Sequence, residues 1–436
     1  MRKRLEQYFE FQRLGTDWRT EILAGFTTFL TMAYIIFVNP SILQQAGMPF
    51  TAVLVATCLA SGFGSILMGL YARYPIALAP GMGLNAYFTY AVVQALGIDW
   101  RVALAAVFLS GVAFMLLTWA GIRELILYSI PVELYAAVAV GIGLFIAFIG
   151  LGNAGIVIAN PATKLSLGDL RQPTTLLSLF GLLLTASLMV RGVRAAMILG
   201  VLITTAVGIL TGLVQWQPQV YGLAELQRTA FQLDLRGVLK PQLIEIVFVF
   251  LFVNLFDDIG TLVAVGKKAG LFDPDGKIPR VNRILFTDAS ATVVGSLVGT
   301  STVVSYIESA AGVAVGGRTG IPAIIAGMLF LVSLFIAPLV GVIPAAATAP
   351  VLILVGSLMI SHAGEIRWTE PSIGIPAFLT MISIPLTFSI ANGLALGFTS
   401  YTLLQVLGGH HRRISWLMYL LTGLFLARFF LLGPQG

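Results

Sequence analysis

Long apolar runs, broken by short polar, charged or glycine- and proline-bearing segments, follow one another along all 436 residues. Most approach the ~18 residues a helix needs to cross about 30 Å of hydrocarbon. They predict spans near residues 20–43, 51–71, 76–96, 101–119, 131–151, 173–190 and 194–213. A second set follows near 243–265, 281–298, 301–316, 320–338, 343–361, 371–388 and 391–408. The fold class expected is therefore an all-α polytopic membrane protein with 14 transmembrane segments. A membrane β-barrel would instead show alternating strands of ~10 residues.

Two spans break the helical pattern. In the third, Tyr74 to Phe88, two prolines (Pro75, Pro80) and two glycines (Gly81, Gly83) forbid an uninterrupted helix. An extended piece over Ile76–Ala79 is expected, then a helix starting near Gly83 to Asn85, whose free N–H groups can receive a polar ligand group. In the tenth, Thr300 to Ser305 has the β-branched composition of a strand. Tyr306 to Val315 follows as a small-residue helix closed by Gly316-Gly317-Arg318. Irregular backbone at membrane depth survives only where it is buried in protein or lines a cavity. With seven spans per half, the halves must lie in opposite orientations: a 7+7 inverted repeat whose paired broken spans mark a binding site near the midplane.

The remaining segments carry less. Residues 1–19 read as a short interfacial helix, and the first span, Glu21 to Leu43, is expected to stop at Asn39-Pro40. Thr27, Thr31 and Tyr34 share one face of that span, where they either line a polar path or bond their own helix carbonyls. Gly152–Gln172 reads as a surface loop, and Val214–Leu243 as an external linker. Ile414–Leu432 is apolar enough to cross, but a fifteenth span would spoil the pseudo-symmetry, so a surface-lying tail helix is expected.

Composition narrows the function. Charged residues make up 10% of the chain against about 25% in soluble domains. The net charge of +6 reports topology. With the N-terminus inside, Arg101, Lys164, Arg171, Arg228, Arg236 and Lys240 fall outside; with Arg428 unassigned, the other eighteen of the 25 Lys and Arg lie inside. Both termini are thus expected in the cytoplasm of a cell-membrane protein, with no call for nucleic acid. The charged N-terminus runs into a full-length span, which predicts no cleavable signal. Cys58 stands alone, and His362, His410 and His411 lie in polar connections, so neither a disulfide nor a metal site is expected. No hydrolase, metalloprotease or phosphate-loop motif occurs, and Asp273-Pro-Asp275-Gly276 reads as a turn.

Against this background a few acids are conspicuous, because an ionisable group at membrane depth is costly unless paired, protonated or facing a cavity. Glu308 lies among small and hydroxylated residues in the tenth span. Asp257 and Asp258 interrupt LFVNLFDDIGTLVAVG in the eighth; Asp257 shares a face with Thr261, while Asp258 points roughly 100° away. Asp288 in the ninth reads as packing against a hydroxyl or backbone partner, and Glu133 as an interfacial or capping acid.

APGMGLNAYFTY, FDDIGTL and STVVSYIESAAGVAVGGRTG, with TMAYIIFVNP and IPLTFSIANGLALGF, together resemble the nucleobase–cation symporters of the xanthine/uracil permease superfamily, in their adenine/guanine/hypoxanthine (AzgA-like) branch. The resemblance runs essentially the full length. It implies core and gate domains: a cytoplasmic N-terminus over 1–19, core parts at 20–119 and 243–338, gate parts at 120–213 and 339–408, an external linker at 214–242 and a tail at 409–436. It also implies a secondary transporter importing purine nucleobases by proton symport, with elevator or rocking alternating access. No cofactor beyond the coupled ion is implied; the partners would be the purine, the bilayer and a second copy docked through gate domains.

Matched residue by residue, Glu308 would hydrogen-bond the base, Asp257 would contact substrate and couple the proton, and Asn85, with Met82 and Gly83, would line the pocket. Thr31 joins them as a candidate on the polar face of the first span. Asp258 departs from the family, which commonly has Thr there; it either alters coupling or substrate choice, or faces a neighbouring helix. The chemistry is compatible: a carboxylate accepts two N–H groups of a flat base side by side, and an amide both donates and accepts. Low dielectric disfavours a charged carboxylate, so one of the acids can carry the proton. An anion transporter of the sulfate or bicarbonate type shares this fold, but several acids at its site oppose that reading. A membrane-embedded enzyme lacks a visible nucleophile or metal set.

Overall fold

The computed structural model describes residues 2–121, 130–215, 222–238, 240, 243–272, 278–340 and 343–431. Helices α1 (Arg2–Tyr8) and α2 (Phe11–Leu14) precede α3 (Trp18–Met32), α4 (Ile35–Gln44) and α5 (Phe50–Leu67). Strand β1 (Leu78–Pro80) leads into α6 (Met82–Ala86), followed by α7 (Trp100–Trp119) and α8 (Val132–Asn153). Strands β2 (Val157–Asn160) and β3 (Lys164–Leu167) precede α9 (Pro173–Val190) and α10 (Ala196–Leu210). The second half holds α11 (Ile244–Ala269), α12 (Val281–Val298), β4 (Val303–Ser305), α13 (Ser309–Val315) and α14 (Ile321–Val340). It closes with α15 (Ala345–Met359), α16 (Pro371–Thr387), α17 (Ile390–Leu407) and α18 (Trp416–Leu431). Among the described residues, eight helical stretches are long and apolar enough to cross a bilayer, and four shorter ones are apolar. The protein is a multi-pass helical membrane protein.

The helices pack in two sets. α3 to α7 lie against α11 to α14, with α14 seated between α3 and α5; α8, α9 and α10 lie against α15, α16 and α17. Glycines allow the tightest crossings: a Cβ on Gly25 would fall 2.6 Å from Ile325, and one on Gly62 the same distance from Leu331.

At the centre, β1 and β4 pair antiparallel, Leu78 opposite Ser305, Ala79 opposite Val304 and Pro80 opposite Val303. The ladder is extended at both ends by related bonds, Gly81 N–H to the Thr302 carbonyl (2.9 Å) and Tyr306 N–H to the Ala77 carbonyl (3.0 Å). The outer edges are closed by hydroxyls. Ser65 of α5 accepts from Leu78 N–H (2.8 Å) and donates to the Leu78 carbonyl (3.1 Å). Thr292 of α12 accepts from Val303 N–H (3.3 Å) and donates to the Val303 carbonyl (2.8 Å). Each hydroxyl bridges both polar groups of the first residue of its strand, one from each half of the chain. Without water, an unpaired sheet edge costs several kcal/mol per group; the two hydroxyls remove that cost with local two-fold symmetry.

A buried carboxylate also joins the halves. Glu21, fully buried at the start of α3, accepts from Thr16 Oγ1 (2.7 Å), Arg318 N–H (3.0 Å), Thr319 N–H (3.2 Å) and Thr319 Oγ1 (2.6 Å). It ties α3 to the turn ahead of α14.

Several expectations need correction. The first span does not stop at Asn39-Pro40: it breaks earlier, at Ala33–Tyr34, and α4 runs through Pro40 to Gln44. Proline removes one helical hydrogen bond, and here helix continues on both sides of it. Residues 1–19 hold two helices rather than one, divided at Glu10 in the left-handed conformation (φ 58°). Gly152–Gln172 carries a β2–β3 hairpin, Val157 opposite Leu167. The tail forms a helix packed against the bundle. α18 returns antiparallel along α17, with Thr422 bonded to Thr402 (2.7 Å) and Phe425 stacked on Phe398 at 5.8 Å. Its apolar face is buried at Leu417, Met418, Leu421 and Phe425, so apolar packing fixes its place against the neighbouring helix. The Asp273-Pro-Asp275-Gly276 turn and part of the Val214–Leu243 linker lie outside the described residues.

Thr292→Val keeps the shape but removes the edge bonds, leaving Val303 unpaired. A loss of about 1–3 kcal/mol is expected, read as a lower thermal midpoint of the detergent-purified protein, while Thr292→Ser should stay near wild type. Equal midpoints for Val and wild type would contradict the edge assignment.

Candidate functional site

Glu308 ends the turn after β4 and begins α13, so the strand fixes its backbone and the short helix fixes its direction. Tyr34, fully buried at the α3–α4 break, donates to Glu308 Oε1 (2.7 Å). A continuous helix would carry Tyr34 elsewhere; the break is what aims it. Thr31 turns its hydroxyl to the Thr28 carbonyl (2.7 Å) and the Thr27 carbonyl (3.3 Å), with a longer approach to the Glu308 carbonyl (3.4 Å). A carboxylate has about four acceptor positions. Glu308 is only partly buried, so it retains capacity for a ligand.

Asp257 of α11 reaches the same neighbourhood. Its Oδ2 lies beside Gly81, 3.7 Å from where a Cβ there would stand, and its carboxylate interacts electrostatically with Glu308. Tyr306 is near enough to feel both carboxylates, and it donates its hydroxyl to the Pro80 carbonyl. The turn of helix between successive residues sends Asp258 elsewhere. It is fully buried, accepting from Ser305 N–H (3.2 Å), and the Ser305 hydroxyl donates to Asp288 Oδ1 (2.9 Å). One serine thus meets two carboxyl groups from α11 and α12.

The structure does not gather all the predicted residues at one point. Asn85 is fully buried and donates to Asn39 Oδ1, while Ser301 donates to Asn85 Oδ1. Asn39 donates in turn to Thr57 Oγ1 (2.7 Å) and Thr300 Oγ1 (2.9 Å). This network pins α4, α5 and α6 to the segment entering β4. Met82 is buried at the start of α6. Gly83 faces Ile142 of α8 with no room for a side chain, which makes it a point of close approach between the two helix sets. Among the described residues, no group of three or more His, Cys, Asp or Glu side chains is placed to hold a metal ion.

Sequence reasoning missed Tyr34 as a partner of Glu308 and Asn39 as a buried hub. An amide inside an apolar run was the available signal for Asn39, but its neighbouring proline suggested a helix end instead.

A profile described as "Permease family", for the xanthine/uracil permeases, matches residues 19–425. The chain belongs to that family. A putative permease of Methanocaldococcus jannaschii is 52% identical over 428 residues, 98% of each chain. The adenine permease AdeP of Escherichia coli is 45% identical, covering 94% of this chain and 92% of its own. The guanine/hypoxanthine permease PbuG of Bacillus subtilis is 45% identical, covering 98% and 100%. Among solved structures, the transmembrane domain of the cyanobacterial bicarbonate transporter BicA aligns with a TM-score of 0.65 at 17% identity, over 87% of this chain and 96% of that one. That likeness is one of fold. The permease is a transporter and not an enzyme.

Asn39→Ala would strand Asn85, Thr57 and Thr300 without a shared partner. A cost of about 2–3 kcal/mol is expected, seen as a lowered thermal midpoint. A midpoint within a degree of wild type would show that the network does not pin these helices.

Proposed function

We propose that this permease imports purine nucleobases of the adenine, guanine and hypoxanthine class by proton symport. The observation that carries this reading is the placement of Glu308 and Asp257 in one neighbourhood at the crossing of the broken spans. It occurs in a chain whose relatives are named as adenine and guanine/hypoxanthine permeases. Glu308, oriented by Tyr34, accepts N–H groups of the base; Asp257 takes the coupled proton. Asn85, Met82 and Gly83 support the pocket by holding α6 against its neighbours, and Thr31 sets the polar edge of α3. Asp258 and Asp288 act together around Ser305 as a second titratable pair next to the site.

All fourteen predicted segments cross the membrane in this reading. The core comprises 20–119 with 243–338, and the gate 120–213 with 339–408. The core moves against the gate to alternate access. Among the described residues, Arg194 Nη1 to Thr27 Oγ1 (3.1 Å) and Asn153 Nδ2 to the Tyr90 hydroxyl (3.3 Å) span the two sets and are two bonds that such a motion must break. An inorganic anion fits poorly, because two carboxylates at the site repel it.

In proteoliposomes, hypoxanthine uptake should rise with an inward proton gradient and be competed by adenine or guanine. Glu308→Gln weakens a charge-assisted bond and should cut uptake by about tenfold or more. Asp257→Asn should remove the response to the gradient. Normal uptake by Glu308→Gln together with intact proton dependence in Asp257→Asn would refute the assignment. Uptake of an inorganic anion, with no nucleobase competing, would refute the substrate class.

A further inference from the structure

On the face that carries the N-terminus, three arginines from different elements converge on one glutamate. Glu10 sits between α1 and α2, Arg73 follows the π-helical end of α5, and Arg280 precedes α12. Arg73 Nη1 lies 3.3 Å from Glu10 Oε1 and Arg280 Nη2 3.4 Å from the same oxygen; Arg13 Nη2 pairs with Oε2. All three of Glu10, Arg73 and Arg280 adopt left-handed backbone, with φ of 58°, 57° and 59°. Non-glycine residues seldom do so, which means the backbone of three separate segments is bent to bring these charges together.

Among the described residues the cluster is not balanced: three guanidinium groups meet one carboxylate, a surplus of two positive charges. Arg73 Nε and Arg280 Nη1 are buried with no hydrogen-bond acceptor among the described residues. Buried donors are ordinarily satisfied. Burial and the adjacent Arg73 guanidinium hold Arg280 below the usual arginine range, outweighing the opposite pull of Glu10. An apolar, outward-facing strip adjoins the cluster. Tyr8, Leu70 and Tyr71 are exposed, Tyr8 donates to the Leu70 carbonyl (2.5 Å), and Arg73 and Arg283 lie over the Tyr8 and Tyr71 rings at 5.1 and 5.6 Å.

We propose that this cluster is a binding site for a phosphate group, with Arg73, Arg280 and Arg13 as its donors and Glu10 as the internal anion that occupies it until a ligand displaces it. The guanidinium fork matches phosphate oxygens bidentately. The phosphate is either the headgroup of an anionic phospholipid, whose chains would lie along Leu70 and Tyr71, or free inorganic phosphate.

The test uses full-length protein purified in detergent. Phosphatidylglycerol and phosphatidylcholine are titrated by native mass spectrometry, and inorganic phosphate by calorimetry. Arg73→Asn and Arg280→Asn preserve a residue type that tolerates left-handed backbone, and each should weaken binding by about fivefold. Glu10→Gln removes the competing carboxylate and should strengthen it by a similar factor. Phosphatidylglycerol binding with this pattern, without response to inorganic phosphate, assigns the lipid; the reverse assigns free phosphate. Binding of neither, binding equal in all variants, or weaker binding in Glu10→Gln overturns the proposal.

Discussion

Peptide backbone that is neither helix nor closed barrel has no water to bond at membrane depth, and this protein places two such pieces side by side. Each of β1 and β4 supplies the other's partners across three residue pairs. The edges facing away from the ladder would still be exposed to the apolar interior. Ser65 and Thr292 close them, each gripping the amide and carbonyl of one strand residue. Every feature of the site depends on this arrangement, because it lets two chain segments stop being helix in the middle of the bundle without leaving polar groups unpaired.

From the crossing, side chains are sorted by the direction in which their elements leave it. Glu308 emerges at one strand end with Tyr34 on its carboxylate, and Asp257 approaches Gly81 from α11. Asp258, one residue on, is fully buried and accepts from Ser305 N–H instead. The amides take a third direction: Asn85 and Asn39 bond each other and the hydroxyls of Thr57, Thr300 and Ser301, a polar layer that holds the helices around the strands. In the proposed reading Glu308 and Asp257 stand where a ligand reaches them, while the amides stand where helices must be held.

Much of this was legible in the sequence. The helical membrane class followed from run length, and both broken spans followed from residues whose backbone demands are strong: two prolines and two glycines in one case, a β-branched run in the other. The acids were visible because charge is rare in such a chain. What escaped was anything set by tertiary pairing. The break at Ala33–Tyr34 has no glycine or proline to announce it, whereas Pro40, which looked like a terminator, sits inside α4. Asn85 reads as a pocket residue by position in a motif, yet its partners are chosen by where Asn39 and Ser301 arrive in space. The seat of the tail helix escaped too, because it is set by aromatic packing of Phe425 on Phe398, which apolar length and symmetry do not reveal.

The central claim is that the crossing of the two strands presents Glu308 and Asp257 together to a purine. A structure determined with hypoxanthine bound tests it most directly. The base should lie between the strand ends with its N–H edge on the Glu308 carboxylate and within reach of Asp257. A base bound away from both carboxylates, or contacting Asp258 and Asp288 in their place, would contradict it.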